Sequence, residues 1–331
     1  MEIEKIKEKT KEISFDYMDK LNIKKITPFG IEIEFAGANF LIVREKLKEI
    51  FGYEPTKTEW YHCSTIIEDK YDKWILKNEG TVQTREIENV YAKYGGEITS
   101  PILNNKKNEW QELKIICNTL KKTERIEING NCSIHIHTSK TIYEIVKEYI
   151  NLLKLEMLYE DIILRFCYGE IDTPRRLLTK FAKPMSYIIY ERLEQLEKVE
   201  TEEQLIKVLG YDRKYGLNLT NIPNNKKRTI ERRSNNGTLN ANIIQNEVWF
   251  NETYLEYAKT ENFDEEFINY MIKSYEPLYI NESLKEKPKK AIEFADRIYK
   301  DEIGKLYFLK QYFKTYNEND IVKTYHLWYY Q

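Results

Sequence analysis

Glycine and proline are both scarce in this sequence. Of its 331 residues, 12 are glycine and 8 are proline. Collagen-like chains and chains dominated by flexible linkers need far larger shares of these two residues, so both classes are excluded. Because 41% of the residues are apolar and 32% are charged, we expect a water-soluble globular protein with long regular elements joined by short turns.

Neither sign of charge dominates. The chain has 52 lysine and arginine residues and 54 aspartate and glutamate residues, which leaves a net charge of −2. Proteins that bind nucleic acids or anionic membranes through a broad surface carry a large positive excess. We therefore expect no nucleic-acid or membrane partner, and any polyanion must be bound by a local site.

Long hydrophobic runs and paired cysteines are also missing. No stretch approaches the roughly 18 apolar residues that a membrane span requires, and the charged, amphipathic start differs from a secretion signal. These absences predict a cytoplasmic protein. The cysteines show no C-x-x-C spacing, which argues against a zinc ribbon or a disulfide framework and favours reduced, mostly buried thiols. They are Cys63, Cys117, Cys132 and Cys167.

Hydrophobic periodicity divides the chain into helices and strands that do not alternate strictly. Helical spacing of apolar residues occurs in residues 1–24, 39–50, 109–121, 141–166, 174–199 and 241–331. Alternation with period two, which predicts strands, occurs in residues 31–35, 60–99, 126–137, 215–219 and 228–233. The helix near residue 141 should be capped by Ser139 or Thr141. We predict an α+β fold with a mostly antiparallel sheet and helices on one face.

Four predicted strands carry polar side chains on one face and apolar side chains on the other. Residues i and i+2 of a strand share a face and lie about 6–7 Å apart. This rule pairs Glu32 with Glu34, Glu97 with Thr99, His135 with His137, and Glu231 with Arg233. Such a sheet would pack its apolar side on helices and present a wet, charged cavity on the other side.

That cavity would need cations if the strands are neighbours. Clustered glutamates and histidines repel one another unless protons or cations neutralise them. Carboxylate-rich sites with an imidazole suit Mg²⁺ or Mn²⁺, which also accept phosphate oxygens as ligands. Arg233, with Arg232 or Lys77, would then bind the anion of a nucleotide or a reaction intermediate. A single E-x-E or H-x-H motif is more often a solvated strand face, so this hypothesis depends on the combination.

Four motifs, taken in order, resemble those of the amidoligase family. They are residues 29–35 (FGIEIEF), 96–101 (GEITSP), 133–137 (SIHIH) and 229–240 (TIERRSNNGTLN). That family belongs to the carboxylate–amine ligase superfamily, together with glutamine synthetase and glutamate–cysteine ligase. The resemblance covers residues 25–260. It implies a catalytic domain over 25–260. The flanking residues match nothing in the family, and their helical spacing predicts a helical arm over 1–24 and a helical extension over 261–331 packed on the same domain.

The resemblance also implies a fold and a ligand set. The sheet would be curved and similar to that of glutamine synthetase, with helices on its convex face and with ATP and two or more Mg²⁺ ions on its concave face. The residues that resemble the family's metal ligands are Glu32, Glu34, Glu97, His135 and Glu231. His137 and Arg233 resemble groups that face phosphate.

Three positions depart from the family pattern or match it loosely. Residues 77–81 (KNEGT) resemble the family's Lys-x-Asp-x-Ser stretch. The match implies that Lys77 contacts the nucleotide, and Glu79 is our candidate base for the amine. Ser133 stands where the family usually has glycine, and Arg232 stands where it has an apolar residue. On our strand register Arg232 faces the packed side, where it must meet a partner unless the strand is an edge.

These residues suit an ATP-dependent ligase that makes an amide bond through an acyl phosphate. The substrates would be a carboxylate and an amine, on small molecules such as amino acids or on cell-wall or ribosomal peptides. Three alternatives stay open: a phosphotransferase acting on a guanidino or amino nitrogen, a non-catalytic nucleotide- or peptide-binding relative, and a metal-dependent hydrolase. The sequence carries no signal for an oligomeric state.

Overall fold

The computed structural model describes residues 2–14, 27–53, 55, 72–77, 79, 82, 94–175, 178–224, 227–277 and 283–317. Its strands are β1 (Phe29–Asn39), β2 (Ile75–Lys77), β3 (Tyr94–Thr99), β4 (Ser133–Ser139), β5 (Leu217–Asn218) and β6 (Thr229–Asn236). Its helices are α1 (Glu2–Glu12), α2 (Phe40–Phe51), α3 (Lys107–Lys122), α4 (Val146–Cys167), α5 (Leu178–Phe181), α6 (Ser186–Leu196), α7 (Glu202–Leu209), α8 (Ala241–Tyr257), α9 (Glu265–Lys273), α10 (Pro288–Ile298) and α11 (Glu302–Phe313).

The described strands form a six-stranded open sheet in the order β2-β3-β1-β4-β6-β5. Each neighbouring pair in this order is antiparallel. The sheet confirms the predicted mixture of helices with a mostly antiparallel sheet. Its likeness to the glutamine synthetase sheet stays a prediction.

One face of the sheet is apolar and packs on helices. Ile31, Ile33 and Phe35 of β1 are fully buried in a core that extends to α2, α3 and α8. Period-two alternation puts these three side chains on the same face and turns the intervening glutamates to the other. The polar face is thereby left for a site.

A second core surrounds α4, whose residues from Glu148 to Cys167 are all buried. This helix begins at Val146, five residues later than predicted, because Ser139 still belongs to β4. The Ser139 hydroxyl accepts the N–H of Thr141 and caps a short 3-10 turn instead. The predicted helix over 174–199 is divided into α5 and α6, with Pro184 between them, as expected for a residue that cannot continue a helix.

The first and last described helices pack together. The Lys310 ammonium on α11 is fully buried and donates to the carbonyl of Thr10 on α1 at 3.0 Å. Helices α10 and α11 also share the core around α4 and α8, where Phe294 and Phe308 meet Phe250. The three predicted parts of the chain are therefore in close contact, while their boundaries stay predictions.

Two predictions concern thiols and membranes. Cys117, Cys132 and Cys167 are free and fully buried, and burial raises the pKa of Cys117 to about 12, so these thiols stay protonated. Cys63 lies outside the described residues, as do residues 318–331. Among the helices that the structure describes, none has the length and apolar character needed to cross a membrane.

Candidate active site

Strand pairing brings the predicted residues onto one polar face. Directly opposed residues of neighbouring strands share a face and have Cβ atoms about 4.5–5.5 Å apart. The register opposes Lys77 to Glu97, Glu97 to Glu34, Glu32 to His135, and His137 to Glu231. The sequence predicted that these side chains share a face of their own strands, and the structure now places the strands next to one another.

The β2–β3–β1 side of this face is acidic. Glu34 is buried, and burial together with the charge of Glu97 raises the pKa of Glu34. Glu97 accepts hydrogen bonds from the Lys77 ammonium and the Thr99 hydroxyl, both at 2.9 Å. Burial alone would lower the pKa of Lys77, but the charges of Glu97 and Glu32 outweigh it and raise that pKa. Lys77 is therefore held cationic at the edge of the site.

The β1–β4–β6 side combines two imidazoles with two carboxylates. His135 Nδ1 lies 2.9 Å from Glu32 Oε2 and 3.8 Å from Glu231 Oε1. His137 Nε2 lies 3.4 Å from Glu32 Oε1 and 3.7 Å from Glu231 Oε1. One nitrogen of each ring therefore faces the same pair of carboxylates.

The charges on this side stabilise one another. Burial would raise the pKa of Glu32 and of Glu231, but the neighbouring histidines hold both below their ordinary value, with Arg233 adding to the effect on Glu231. Burial would lower the pKa of His137, and the same two carboxylates raise it. Both carboxylates are thus kept ionised although they are largely removed from water.

The opposite nitrogen of each ring meets a hydroxyl group. Ser133 Oγ lies 2.9 Å from His135 Nε2 and 2.6 Å from Glu34 Oε2. Thr229 Oγ1 lies 3.3 Å from His137 Nδ1. Each imidazole therefore has a hydroxyl behind it and two carboxylates in front of it.

The polar face fits divalent cations. Three groups of side chains bring ligand atoms within 4.8 Å of one another: Glu32, Glu97 and His135; Glu32, His137 and Glu231; and Glu34, Glu79 and Glu97. Within the described part of the chain, the buried Nε2 of His137 has no hydrogen-bond partner, although it lies 3.4 Å from Glu32 Oε1 and 3.7 Å from Glu231 Oε1, so this nitrogen is left for a bound group. Oxygen-rich groups with one imidazole match the donors that Mg²⁺ and Mn²⁺ prefer.

Arg233 borders the site on β6. Its Nη1 donates to Glu231 Oε1, and its Nε donates to the carbonyl of Phe181 at 3.2 Å. Arg233 and Ser234 together lie opposite His135, because β6 has an extra residue between its pairs with Ile134 and Ile136. Such a bulge redirects a side chain, and here it leaves the Arg233 guanidinium beside the carboxylates.

The comparison with protein families gives one decisive result. Residues 25–255 match the model of a family described as "putative amidoligase enzyme", which covers more than two thirds of the chain. The chain belongs to the amidoligase family. The family name denotes a ligase-type enzyme. A search of curated proteins gave no match.

One predicted anion-binding residue of this amidoligase lies elsewhere. Arg232 faces the helices and is 1% exposed, and its two Nη atoms donate to Glu156 of α4 at 2.6 and 2.9 Å. Glu156 also accepts from the Tyr254 hydroxyl at 2.9 Å. Arg232 therefore cannot bind an anion at the site, because the same alternation that exposes Arg233 there turns Arg232 to the packed side.

Two side chains of the amidoligase site were missed in the sequence. Asn218 Nδ2 donates to Glu231 Oε2 at 2.7 Å. Burial raises the pKa of Glu34, and the positive charge of buried Arg175 offsets part of that effect. The Arg175 guanidinium also donates to the carbonyl of Arg233 at 3.1 Å. Asn218 lies on a predicted strand, where alternation could have pointed to it, whereas Arg175 was assigned to the predicted helix over 174–199 and lies in the loop before α5.

Proposed function

We propose that this amidoligase is an ATP- and Mg²⁺-dependent carboxylate–amine ligase that forms an amide or isopeptide bond. The observation that supports this proposal best is the convergence of Glu32, Glu34, Glu97 and Glu231 with two histidines on one face of adjacent strands. Membership of the amidoligase family supports the same class of reaction.

The chemistry explains why such a site needs a nucleotide. A carboxylate does not acylate an amine in water, because its leaving group would be oxide. In the proposed reaction a carboxylate oxygen of the substrate attacks the γ-phosphorus of ATP, which gives an acyl phosphate and ADP. The amine then attacks the acyl carbon, loses a proton and displaces inorganic phosphate.

The residues that would hold Mg²⁺ or Mn²⁺ are Glu32, Glu34, Glu97, His135 and Glu231. A bound divalent ion supplies positive charge to phosphate oxygens, which lowers the barrier to phosphoryl transfer. Burial and the charge of Glu97 raise the pKa of Glu34. A cation bound between Glu34 and Glu97 would favour the ionised carboxylate and offset both effects.

The remaining polar side chains suit the substrates. Arg233 and Lys77 keep 20% and 35% of their side-chain surface exposed, so each can turn a donor towards phosphate oxygens. His137 lies between these two residues and would contact the nucleotide or a cation next to it. Glu79 lies with Glu34 and Glu97 at the acidic end, where a carboxylate can bind the protonated amine and accept its proton.

A trapping assay tests the proposal without knowledge of the amine. The purified protein is incubated with ATP, Mg²⁺ and a panel of carboxylates, amino acids and short peptides, with hydroxylamine as the nucleophile. We expect a hydroxamate together with equal amounts of ADP and phosphate. Release of AMP and pyrophosphate would reject the acyl phosphate. A stable phosphorylated product would indicate a phosphotransferase, and turnover without ATP would indicate a hydrolase.

A further inference from the structure

Ser133 is the one residue of the histidine strand motif that departs from the family pattern, and it lies inside the site. Its side chain is fully buried and on the same face as His135 and His137. A glycine in its place would leave both polar neighbours of its hydroxyl without this partner.

The hydroxyl joins two parts of the site. Ser133 Oγ contacts Glu34 Oε2 at 2.6 Å and His135 Nε2 at 2.9 Å. Glu34 belongs to the group with Glu79 and Glu97, whereas His135 belongs to the group with Glu32 and Glu97. Ser133 is therefore a direct hydrogen-bonded link between two candidate cation sites.

Donor counting fixes the direction of this link. A hydroxyl has one proton to donate, and the 2.6 Å separation from Glu34 is typical of a hydroxyl that donates to a carboxylate. Ser133 must then accept from His135, so His135 carries a proton on Nε2. Nδ1 is the ring nitrogen on the other side, and it faces Glu32 at 2.9 Å and Glu231 at 3.8 Å. A cation that replaces the proton between Nδ1 and Glu32 would have one ring nitrogen and two carboxylates as ligands.

We propose that Ser133 is a positioning residue that holds the His135 ring with Nε2–H towards Ser133 and with Nδ1 towards Glu32 and Glu231. This inference rests on the proposed function, because it assumes that a divalent ion binds there. Ligating histidines generally donate their other ring N–H to a neighbouring acceptor, and loss of that acceptor typically lowers metal affinity about 10- to 100-fold. Ser133 would fill that role while it orients Glu34 for the adjacent group.

The test measures Mn²⁺ binding by electron paramagnetic resonance in the absence of ATP and substrates. We expect Ser133→Ala to weaken Mn²⁺ binding about 10- to 100-fold, with an unchanged circular dichroism spectrum. Ser133→Thr, which keeps the hydroxyl, should restore most of the affinity. Ser234→Ala is the matched control, since Ser234 is a strand serine only 1% exposed whose hydroxyl donates to the carbonyl of Gly216. That control should bind Mn²⁺ like the wild type.

A second measurement shows which nitrogen of the His135 ring carries the proton. The chain has four histidines, so selective ¹⁵N labelling of histidine gives a simple spectrum of the Mg²⁺-bound protein. We expect a slowly exchanging ring proton on Nε2 of His135, and we expect Ser133→Ala to make it exchange fast. A protected proton on Nδ1 would overturn the inference, as would wild-type Mn²⁺ affinity in Ser133→Ala. A wild-type protein that binds no Mn²⁺ would instead remove the metal from the proposed function and this inference with it.

Discussion

Strand β6 carries two neighbouring arginines, and each pairs with a glutamate on a different face of the sheet. Arg232 and Glu156 form two parallel hydrogen bonds among the helices, with a further one from Tyr254. Arg233 pairs with Glu231 on the polar face. Both glutamates are buried, so burial alone does not separate a structural ion pair from a functional one.

The difference lies in the balance of charge around each pair. Arg232 and Glu156 neutralise each other and are both buried among the helices, so we call them the closed pair. Arg233 and Glu231, which border the site, are the open pair. Glu231 shares its surroundings with Glu32 and two histidines, and its Oε1 atom lies within 3.8 Å of one nitrogen of each ring. A carboxylate that shares a polar face with a second carboxylate and two imidazoles can take up a cation, whereas a carboxylate held by two hydrogen bonds to one guanidinium among the helices points to packing.

Loss of the open pair should have the largest effect. Glu231→Gln removes a charge that faces both histidines and Arg233, so we expect hydroxamate formation to fall at least about 10⁴-fold, equivalent to more than 5 kcal/mol. The matched control is Glu202→Gln, which removes a carboxylate from a surface ion pair with Lys140 and should keep wild-type activity. More than a tenth of the activity in Glu231→Gln would place Glu231 outside the reaction.

Loss of the closed pair should act on stability. Arg232→Met leaves Glu156 buried without its cation, and we expect the free energy of unfolding, measured by urea titration, to fall by about 3–5 kcal/mol. The double variant Arg232→Met with Glu156→Gln removes both charges and should regain most of that loss. A single variant that loses less than about 1 kcal/mol would show that the pair is not the neutral unit described above.

Glu252 on α8 extends the comparison to a buried carboxyl group that has no cationic hydrogen-bond donor of its own among the described residues. The backbone N–H and the hydroxyl of Thr27 both donate to Glu252 Oε1, each at 2.8 Å. Burial raises the pKa of Glu252 from its ordinary 4.5 to about 7. The folded state therefore binds the Glu252 proton more tightly than the unfolded state does. The protonated carboxyl contributes fully to the free energy of unfolding below pH 4.5, and this contribution is lost as pH rises to about 7.

The loss amounts to at most about 3 kcal/mol of unfolding free energy. Glu252→Gln keeps an acceptor for Thr27 without a titrating group. The difference in unfolding free energy between this variant and the wild type should therefore change between pH 4.5 and about 7 and be flat above it. A difference that is constant over that range would contradict the raised pKa.

The smallest effect concerns repulsion within the open site. Glu34→Gln removes a buried charge next to Glu97, so we expect the metal-free protein to gain about 1 kcal/mol of unfolding free energy. Added Mg²⁺ should stabilise the wild type more than the variant. Thermal unfolding with and without Mg²⁺ measures both quantities, and an equal Mg²⁺ response in the two proteins would exclude Glu34 from the cation site.

Much of the site could be predicted because it depends on local periodicity. The E-x-E and H-x-H motifs need only an extended backbone to put their side chains on one face. The position of Arg232 on the packed side followed from the same rule. Its partner did not, since Glu156 is 76 residues away in the sequence and strand alternation says nothing about which helix residue lies opposite.

Other features depend on contacts or small irregularities that no period reveals. The predicted start of α4 was wrong by five residues, because Ser139 caps a 3-10 turn at the end of β4 and does not cap the helix. The bulge that sets Arg233 opposite His135 adds one residue to β6, and an extra residue leaves no mark on hydrophobic patterning. Arg175 comes from a loop, and only the folded chain brings it near Glu34.

The contact between α1 and α11 has a consequence for synthesis. Thr10 and Lys310 are 300 residues apart, so at typical translation speeds α1 leaves the ribosome roughly 15–60 s before its partner exists. During that interval its apolar stripe has nothing from α11 to cover it. Nascent chains that stall before α11 should therefore be the ones that chaperones retain and proteases remove.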